Sequence, residues 1–139
     1  MQLTKHTDFA FRTLIYLASH RDSLATIQII AETFDLSKSH LMKVVNKLVN
    51  IGWVESIRGK KGGIRLAVEP HEIGVADVIV KMEQTLAPIN CESPMCILNG
   101  NCALKGHLWQ AQQEYMKYLK KLTLADVLHD TNLQVLKFA

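Results

Sequence analysis

The spacing of apolar residues changes abruptly at Gly52, and this change constrains the fold more than any other feature of the sequence. Before Gly52 the apolar residues recur every three or four positions, which is typical of helices. After it they alternate, first in residues 53–57 and again in 64–68, and the intervening segment 58–63 is rich in glycine. Two alternating runs joined by a glycine-rich turn predict a β-hairpin that directly follows the helices.

Three helices are predicted ahead of this hairpin. The first covers residues 6–19, the second runs from a Thr26 cap to about Phe34, and the third begins after a Ser37 cap and ends at Gly52. The third helix carries one apolar stripe, formed by Leu41, Val44, Val45 and Leu48. Two short helices, a capped third helix and a hairpin together predict a winged helix-turn-helix.

The second half of the chain returns to helical spacing, interrupted by one loop. A helix is expected over residues 74–84, a loop with all three cysteines over 85–102, the longest helix over 103–121 and a short helix over 124–129. We therefore expect a mainly α protein with a small β-hairpin.

This reading divides the chain into three parts. Residues 1–84 form a winged helix-turn-helix DNA-binding domain, and 85–102 form a cysteine loop. Residues 103–139 provide a long dimerisation helix and a C-terminal tail.

Positive charge is concentrated in the first half of the chain. Residues 1–70 hold ten Lys and Arg against six Asp and Glu, whereas residues 71–139 hold six against seven. On charge alone, ordinary solubility explains this excess better than a nucleic acid partner does. Combined with the fold, the excess points to DNA.

The third helix has the composition of a recognition helix. Its exposed face offers five candidate contacts: Lys38, Ser39, His40, Lys43 and Asn46. Lysine bonds guanine O6 and N7, asparagine bonds adenine N6 and N7, and serine suits either base. An ordinary amphipathic surface helix is the alternative, but the preceding short helix and turn favour docking in the major groove.

The predicted hairpin tip carries three cations among glycines. The residues that we expect to contact DNA there are Arg58, Lys60, Lys61, Gly62 and Gly63. Such a tip suits contact with phosphates or insertion of an arginine into a narrow minor groove. A solvated hairpin explains the tip equally well in isolation, so the argument depends on the adjacent helix-turn-helix.

One winged helix reads only half of a two-fold symmetric site, so a dimer is expected. The candidate interface is an apolar stripe on the 103–121 helix, formed by Leu104, Leu108, Ala111, Tyr115 and Leu119. The stripe would serve equally well as monomer core. A winged helix this small, however, offers little surface for so long a helix, and two-fold pairing is the commonest assembly.

The three cysteines form an unusual set of potential metal ligands. Cys91, Cys96 and Cys102 are separated by four and five residues, which is wider than the paired knuckles of structural zinc sites. Three thiolates on a flexible loop can hold an iron–sulfur cluster with one non-cysteine ligand. The spacing favours a cluster, and leaves as alternatives a zinc site, and free thiols or a redox disulfide.

Several motifs in order carry a resemblance to a known family. They are the opening MQLT-x-x-TD, the wing RGK-x-GGIRL, the cysteine spacing and the later TLAD at 123–126. Over nearly its whole length the chain resembles the Rrf-type family of bacterial winged-helix iron–sulfur regulators. Within that family it is most similar to the nitric-oxide-sensing repressors.

The resemblance implies an iron–sulfur cluster bound by the three cysteines, and either a 2Fe–2S or a 4Fe–4S cluster fits them. The fourth ligand in the nitric-oxide-sensing branch maps onto Asp8, supplied by the partner subunit, although Asp8 by itself is an ordinary charge at a helix start. Arg12, one turn on, would pair with Asp8 when no cluster is bound. A related branch uses a histidine shortly after the third cysteine. His107 lies further from Cys102 than that pattern has it, so it ranks below Asp8.

The function that follows is a nitric-oxide-responsive repressor, a homodimer whose cluster state controls binding to a double-stranded DNA operator. The alternatives are a regulator of the same family with a different signal, or a zinc-stapled DNA-binding protein. No catalytic activity is expected, because the sequence offers no nucleophile arrangement and residues 60–63 lack P-loop spacing. We expect a cytoplasmic protein, since no signal peptide or membrane span is recognisable.

Overall fold

The computed structural model describes residues 1–136, so the last three residues of the predicted 103–139 segment lie outside the described part. In chain order its α-helices and strands are α1 (Lys5–Ser19), α2 (Ile27–Phe34), α3 (Lys38–Ile51), β1 (Val54–Ile57), β2 (Gly63–Leu66), α4 (Val75–Met82), α5 (Ala103–Leu119) and α6 (Leu124–Asp130). Two short 3-10 helices lie at Pro70–Glu72 and Leu133–Leu136. The order and type of the main elements confirm the predicted winged helix-turn-helix.

The predicted caps set the ends of the helices. Thr26 and Ser37 accept hydrogen bonds from backbone N–H groups in the first turns of α2 and α3. Asp35 ends α2 in the left-handed conformation, and Gly52 ends α3 at a φ of +92°. Glycine adopts the left-handed conformation more easily than any other residue, so Gly52 fixes where α3 stops and the hairpin begins.

The hairpin is shorter than the predicted runs, because only four residues of each strand pair. Val54 pairs with Leu66, and Ile57 with Gly63. The hairpin is anchored to the body of the protein by Ala25, which exchanges two backbone hydrogen bonds with Ile64 at 3.0 and 2.7 Å. This third short segment fixes the direction in which the wing projects.

Helices α4 and α5 also end earlier than predicted. The expected helix over 74–84 stops at Met82, and the side chain of Glu83 turns towards the start of α1. The expected helix over 103–121 stops at Leu119, because the next turn tightens into the Lys121–Tyr118 and Leu122–Leu119 backbone bonds.

The main core surrounds α1, whose Ala10, Leu14 and Leu17 are almost completely buried. Helix α6 belongs to this core as well, since Leu124 is only 2% exposed and packs within the main apolar cluster. Backbone bonds from Leu124 to Ile73 and from Val75 to Leu122, at 2.8 and 2.9 Å, join α6 to the start of α4. The chain thus returns, after α5, to the core formed by the N-terminal helices.

Helix α5 is held much more loosely than the others. Its only buried side chains are Gln112 and Met116, and Met116 packs with Leu119 against Ala76 and Ile79 of α4. Across residues 1–136, every helix is too short or too polar to cross a bilayer.

Candidate DNA interface and cysteine loop

Four of the five predicted residues on α3 lie on its exposed face. Lys38, Ser39, Lys43 and Asn46 are all exposed. Ser39, Lys43 and Asn46 follow one another at helical spacing, so they share one side of the helix. Met42, which the sequence analysis did not include, is also 46% exposed on this side. This side can therefore enter a major groove while the buried stripe stays on the domain.

His40, the fifth predicted residue, lies elsewhere. Its ring is half-buried, with its centroid 4.7 Å from the Phe9 ring and 5.8 Å from the His6 ring of α1. It stands one turn before Val44, which is completely buried. The side chain of His40 therefore contacts α1, whereas its neighbour Ser39 is open to solvent.

The wing presents its three cations freely. Arg58, Lys60 and Lys61 are exposed, and within residues 1–136 none of them forms an ion pair with a carboxylate. Gly62 is required by close backbone packing, because a Cβ there would collide with the carbonyl oxygen of Ile57. Gly63 begins β2 and lies similarly close to Ala25. The glycines keep the tip narrow, and the cations supply its positive charge.

The cysteine loop between α4 and α5 is folded into successive turns. The N–H of Cys96 donates to the carbonyl oxygen of Cys91 at 3.0 Å, and the N–H of Asn99 donates to that of Cys96 at 3.0 Å. All three cysteines are free thiols, with Cys91 and Cys102 half-buried and Cys96 exposed. Cys102 occupies the N-cap position of α5. A disulfide is thus not used to hold the loop together.

A side-chain contact ties this loop to α5. The Nζ of Lys105 donates a hydrogen bond to the Oδ1 of Asn99 at 2.9 Å, and the Nδ2 of Asn99 lies 3.6 Å from the sulfur of Met95. Asn99 and Lys105 were not singled out from the sequence, because nothing in a loop pattern predicts which polar residue folds back on the next helix.

Chemically, the thiols suit a cluster that takes sulfur ligands. Within residues 1–136, however, no three His, Cys, Asp or Glu side chains are grouped closely enough to hold a metal ion. One copy of the described chain therefore does not assemble a complete ligand set by itself. The donor chemistry of the three thiols fits an iron–sulfur cluster.

Asp8 and Arg12 form the pair that their spacing predicts. Arg12 Nε donates to Asp8 Oδ1 at 3.0 Å and Nη2 lies 2.9 Å from Oδ2, so both carboxylate oxygens are engaged. Both side chains are 41% exposed, and the guanidinium also lies 6.0 Å from the centre of the Phe34 ring. Asp8 is thus accessible from outside, beside an open groove between α1 and the turn that joins α2 to α3.

The predicted stripe on α5 is divided between two environments. Leu104, Ala111 and Tyr115 are exposed, whereas Leu108 is half-buried and Leu119 packs on the second apolar cluster of the same chain. Tyr118, 63% exposed, extends the exposed part. His107 is exposed on the same helix. Most of the stripe is therefore not covered by the described part of its own chain.

A polar junction at the start of α1 could not be found from the sequence. Here the Oε1 of Glu83 accepts hydrogen bonds from Thr4 N (2.8 Å), Thr4 Oγ1 (3.0 Å) and Thr7 Oγ1 (2.6 Å). We call Thr4, Thr7 and Glu83 the threonine–glutamate junction. Glu83 is 76 positions from Thr7 and 79 from Thr4, and no local pattern signals their contact.

The charges at this junction influence one another. Burial raises the pKa of Glu83, but the hydrogen bonds from Thr7 and Thr4 outweigh it and hold that pKa below its ordinary value. Burial lowers the pKa of His6, and the positive charges of Lys47 and His40 lower it further. The start of α1 thus lies between the end of α4 and one side of α3.

Comparison with known proteins places this arrangement in context. A family model described as Rrf2, an iron-dependent transcriptional regulator, matches residues 3–130. The HTH-type transcriptional regulator NsrR of Bacillus subtilis (strain 168) is 41% identical over 131 residues, which cover 91% of this chain and 90% of that protein. NsrR of Shouchella clausii (strain KSM-K16) is 40% identical over 141 residues, covering 98% and 95%. These matches include the wing, the cysteine loop and α5.

Solved structures give the same picture of the fold. CymR (YrzC), the global cysteine regulator of B. subtilis, superposes with a TM-score of 0.77 at 28% identity, covering 95% of this chain and 99% of that one. T. potens IscR superposes with a TM-score of 0.75 at 26% identity, covering 95% and 89%. The similarity extends over nearly the whole of both chains in each case.

Proposed function

The chain belongs to the Rrf2 family of transcriptional regulators, and from this premise we propose that it is a homodimeric, nitric-oxide-responsive repressor whose iron–sulfur cluster controls operator binding. The family and the relatives are transcription regulators, and we propose no catalytic activity. Nitric oxide is proposed as the signal because the NsrR regulators of two species are about 40% identical over nearly the whole chain.

The observation that carries the proposal is the set of three free thiols, Cys91, Cys96 and Cys102, on one loop. Within residues 1–136 no three potential metal ligands, these cysteines included, lie close enough together to hold a metal ion. Asp8 is accessible on α1, and among the described residues its carboxylate is bound by Arg12. Asp8 of the partner subunit would complete the set, so that each site requires two chains.

The residues around this site have separate tasks. The thiolates would hold the cluster, and the Asn99–Lys105 contact keeps the loop against α5. When bound, the cluster would supply iron with which nitric oxide reacts. Asp8 of the partner subunit would supply the remaining ligand and would thereby link the loop of one subunit to α1 of the other. In the structure described here Asp8 instead pairs with Arg12 of its own helix.

DNA binding depends on the spacing of two copies of α3 and the wing. We propose that the exposed side chains of Lys38, Ser39, Lys43 and Asn46 read bases, and that those of Arg58, Lys60 and Lys61 hold phosphates. Because two half-sites must be met at once, a small change in the separation of the recognition helices weakens binding. The exposed part of the α5 stripe is the proposed dimer contact.

The first experiment follows colour and DNA binding together. Protein purified without oxygen is expected to contain iron and sulfide, to be straw-coloured or brown, and to lose both its colour and its operator affinity on addition of nitric oxide. A colourless zinc-containing protein whose DNA binding is unaffected by nitric oxide would contradict the proposed function.

A second experiment tests whether Asp8 acts across the dimer. Two defective chains are co-expressed with different tags, one carrying Asp8→Ala and the other Cys91→Ser, Cys96→Ser and Cys102→Ser. Their heterodimer contains one site with an intact loop and Asp8 of the partner subunit, so it should retain about half of the wild-type chelator-resistant iron. Asp22→Ala, on an exposed loop, serves as the control. If the heterodimer behaves like the Asp8→Ala homodimer, Asp8 does not act in this way.

A further inference from the structure

The position of His40 separates it from the base-reading face of the recognition helix. Helical spacing places Ser39, Lys43 and Asn46 on one side of α3. His40 instead begins a row that continues with Val44 and Leu48, both completely buried. An imidazole at the head of a buried row is directed towards the domain and has only its outer edge open to solvent.

The contacts of His40 are with the first two turns of α1. Its ring packs at 42° to the Phe9 ring, at 4.7 Å, and nearly parallel to the His6 ring, at 5.8 Å. The cap of Ser37, whose Oγ accepts from the N–H of His40, fixes the backbone at the same point. Aromatic contacts of this kind have defined geometry, so the three rings hold the start of α3 at one position on α1.

Resting on the proposed function, we propose that His40 is a positioning residue that couples α1 to the recognition helix, and that it does not read a base. Phe9 follows Asp8 directly in the chain, and His6 lies two residues before it. A displacement of the first turns of α1 therefore moves the two rings on which His40 rests. The start of α3 moves with them, because among the described residues these two rings supply all the aromatic contacts between its first turn and α1.

The same helical turns are also restrained by the threonine–glutamate junction. Glu83 holds Thr4 and Thr7 from the end of α4, the helix that precedes the cysteine loop. The start of α1 thus lies between one element that leads to the cysteine loop and another that enters DNA. His40 is the contact on the DNA side of this arrangement.

Measuring the DNA affinity of three variants distinguishes positioning from base reading. The duplexes for these measurements are first selected from a random pool by the wild-type protein. His40→Ala removes the ring and should weaken binding about 3- to 10-fold, which is the effect of losing one aromatic contact. The same fold loss of affinity should be found for every duplex that differs from the selected one at a single base pair. His40→Phe keeps the packing but no hydrogen-bonding group, and should restore most of the lost affinity. Asn46→Ala, a base-reading residue, should instead lose discrimination at one base pair.

His20 provides a matched control on the same helix. Its ring stacks on Tyr16 at 4.2 Å, at the far end of α1 from α3. His20→Ala therefore removes a comparable ring contact from α1 without touching the recognition helix, and operator affinity should stay within about 2-fold of wild type. If His20→Ala and His40→Ala lose equal operator affinity, His40 contributes only to the general stability of the protein, and the proposal is overturned.

A measurement without DNA keeps this test separate from the proposed function. His6→Ala should shift the NMR signals of the His40 ring and of the amides in the first turn of α3, whereas His20→Ala should not. If these signals do not move, the coupling is absent whatever the protein binds. If His40→Phe loses discrimination at a single base pair, or lowers the salt dependence of binding by about one unit, His40 contacts DNA and the proposal fails.

Discussion

Gly62 is the residue on which the shape of the wing depends most directly. It lies within the turn, where the carbonyl oxygens of Ile57 and Gly59 leave no space for a side chain. Gly106 on α5 is the opposite case, because an added Cβ there would meet no atom within 4 Å. An added methyl group would therefore collide with backbone atoms at Gly62 but meet no other atom at Gly106.

Gly62→Ala should therefore destabilise the protein by about 1–3 kcal/mol, since the turn must open to relieve the collision. DNA affinity should fall as well, because the cations of the tip move. Gly106→Ala should stabilise α5 by about 0.5–1 kcal/mol, because alanine is the better helix former. Urea unfolding of both variants measures the two changes, and equal effects would show that the wing tolerates a wider turn.

Glu83 gives the protein a pH-dependent element of stability. The pKa of its carboxyl group is held below the ordinary value of 4.5 by hydrogen bonds from Thr7 and Thr4, which outweigh the effect of burial. A carboxylate with a lowered folded-state pKa contributes stability that is complete above the unfolded value and is lost as pH falls through the folded value.

Glu83→Gln should accordingly lower the free energy of unfolding at pH 7, and the difference from wild type should shrink as the pH falls below 4.5. Glu114→Gln is a suitable control, because Glu114 faces Lys117 at 3.8 Å on an exposed surface where ion pairs contribute little. A difference between Glu83→Gln and wild type that is the same at pH 7 and pH 3.5 would contradict this account.

Residues differ in how well the sequence predicts their surroundings. Asp8 and Arg12 pair because i, i+4 spacing on a helix dictates it, and the structure confirms the pair. His40 was grouped with the exposed face because the border of a helical stripe is set by the neighbouring helix. The contacts of Glu83 could not be predicted from its neighbours in the sequence, because its partners Thr7 and Thr4 lie 76 and 79 positions earlier in the chain.

At the scale of elements, α5 shows how a single apolar pattern serves two surfaces. Gln112, Met116 and Leu119 face the body of the same chain, while Leu104 and Tyr115 remain exposed beside them. The sequence predicted the helix and its stripe. It did not predict which edge of the stripe the chain's own α4 would cover, because that depends on the packing angle between two helices.

Tyr115→Glu is expected to convert the proposed dimer to monomers, because it places a charge within the exposed apolar face. The fold should survive, since Tyr115 is 41% exposed in the single chain. Sedimentation at micromolar concentration measures the change, and Gln110→Glu, an exposed position on the opposite side of α5, should remain dimeric. A Tyr115→Glu protein that sediments as a dimer would place the interface elsewhere.

Other elements were predicted to within a few residues wherever a cap or a glycine marks their ends. The bounds of α2 and α3 follow from Thr26, Ser37 and Gly52. The strands were predicted too long, because the alternating runs extend past the Val54–Leu66 pair, to Trp53 in one strand and to Val68 in the other. The length of a strand is limited by the residues available to pair with it, and the strand's own apolar pattern does not show where those residues end.

At the scale of the whole molecule, the division of charge is its most general property. Ten of the sixteen basic residues lie in residues 1–70, which contain α3 and the wing. Lysines at the end of α5 are equally exposed but lie outside that region. The same charge should therefore have different effects in the two places.

Replacing Lys60 and Lys61 together by alanine should lower the slope of log K against log salt by about two for each subunit, with weakening that does not depend on sequence. The matched double replacement of Lys120 and Lys121 removes the same charge from the exposed end of α5 and should leave the slope unchanged. Equal changes in slope would mean that net charge, and not the wing, governs binding.

The docking of α6 on the main core has a consequence for how the protein is made. Leu124 is part of the apolar cluster around α1, and its backbone bonds to Ile73. A ribosome that has released only the first hundred residues has delivered α3 and the wing but not the leucine that closes their core. Synthesis of the cysteine loop and α5 therefore precedes completion of the core around α1, so a nascent chain acquires the three cysteines before its helix-turn-helix is fully packed.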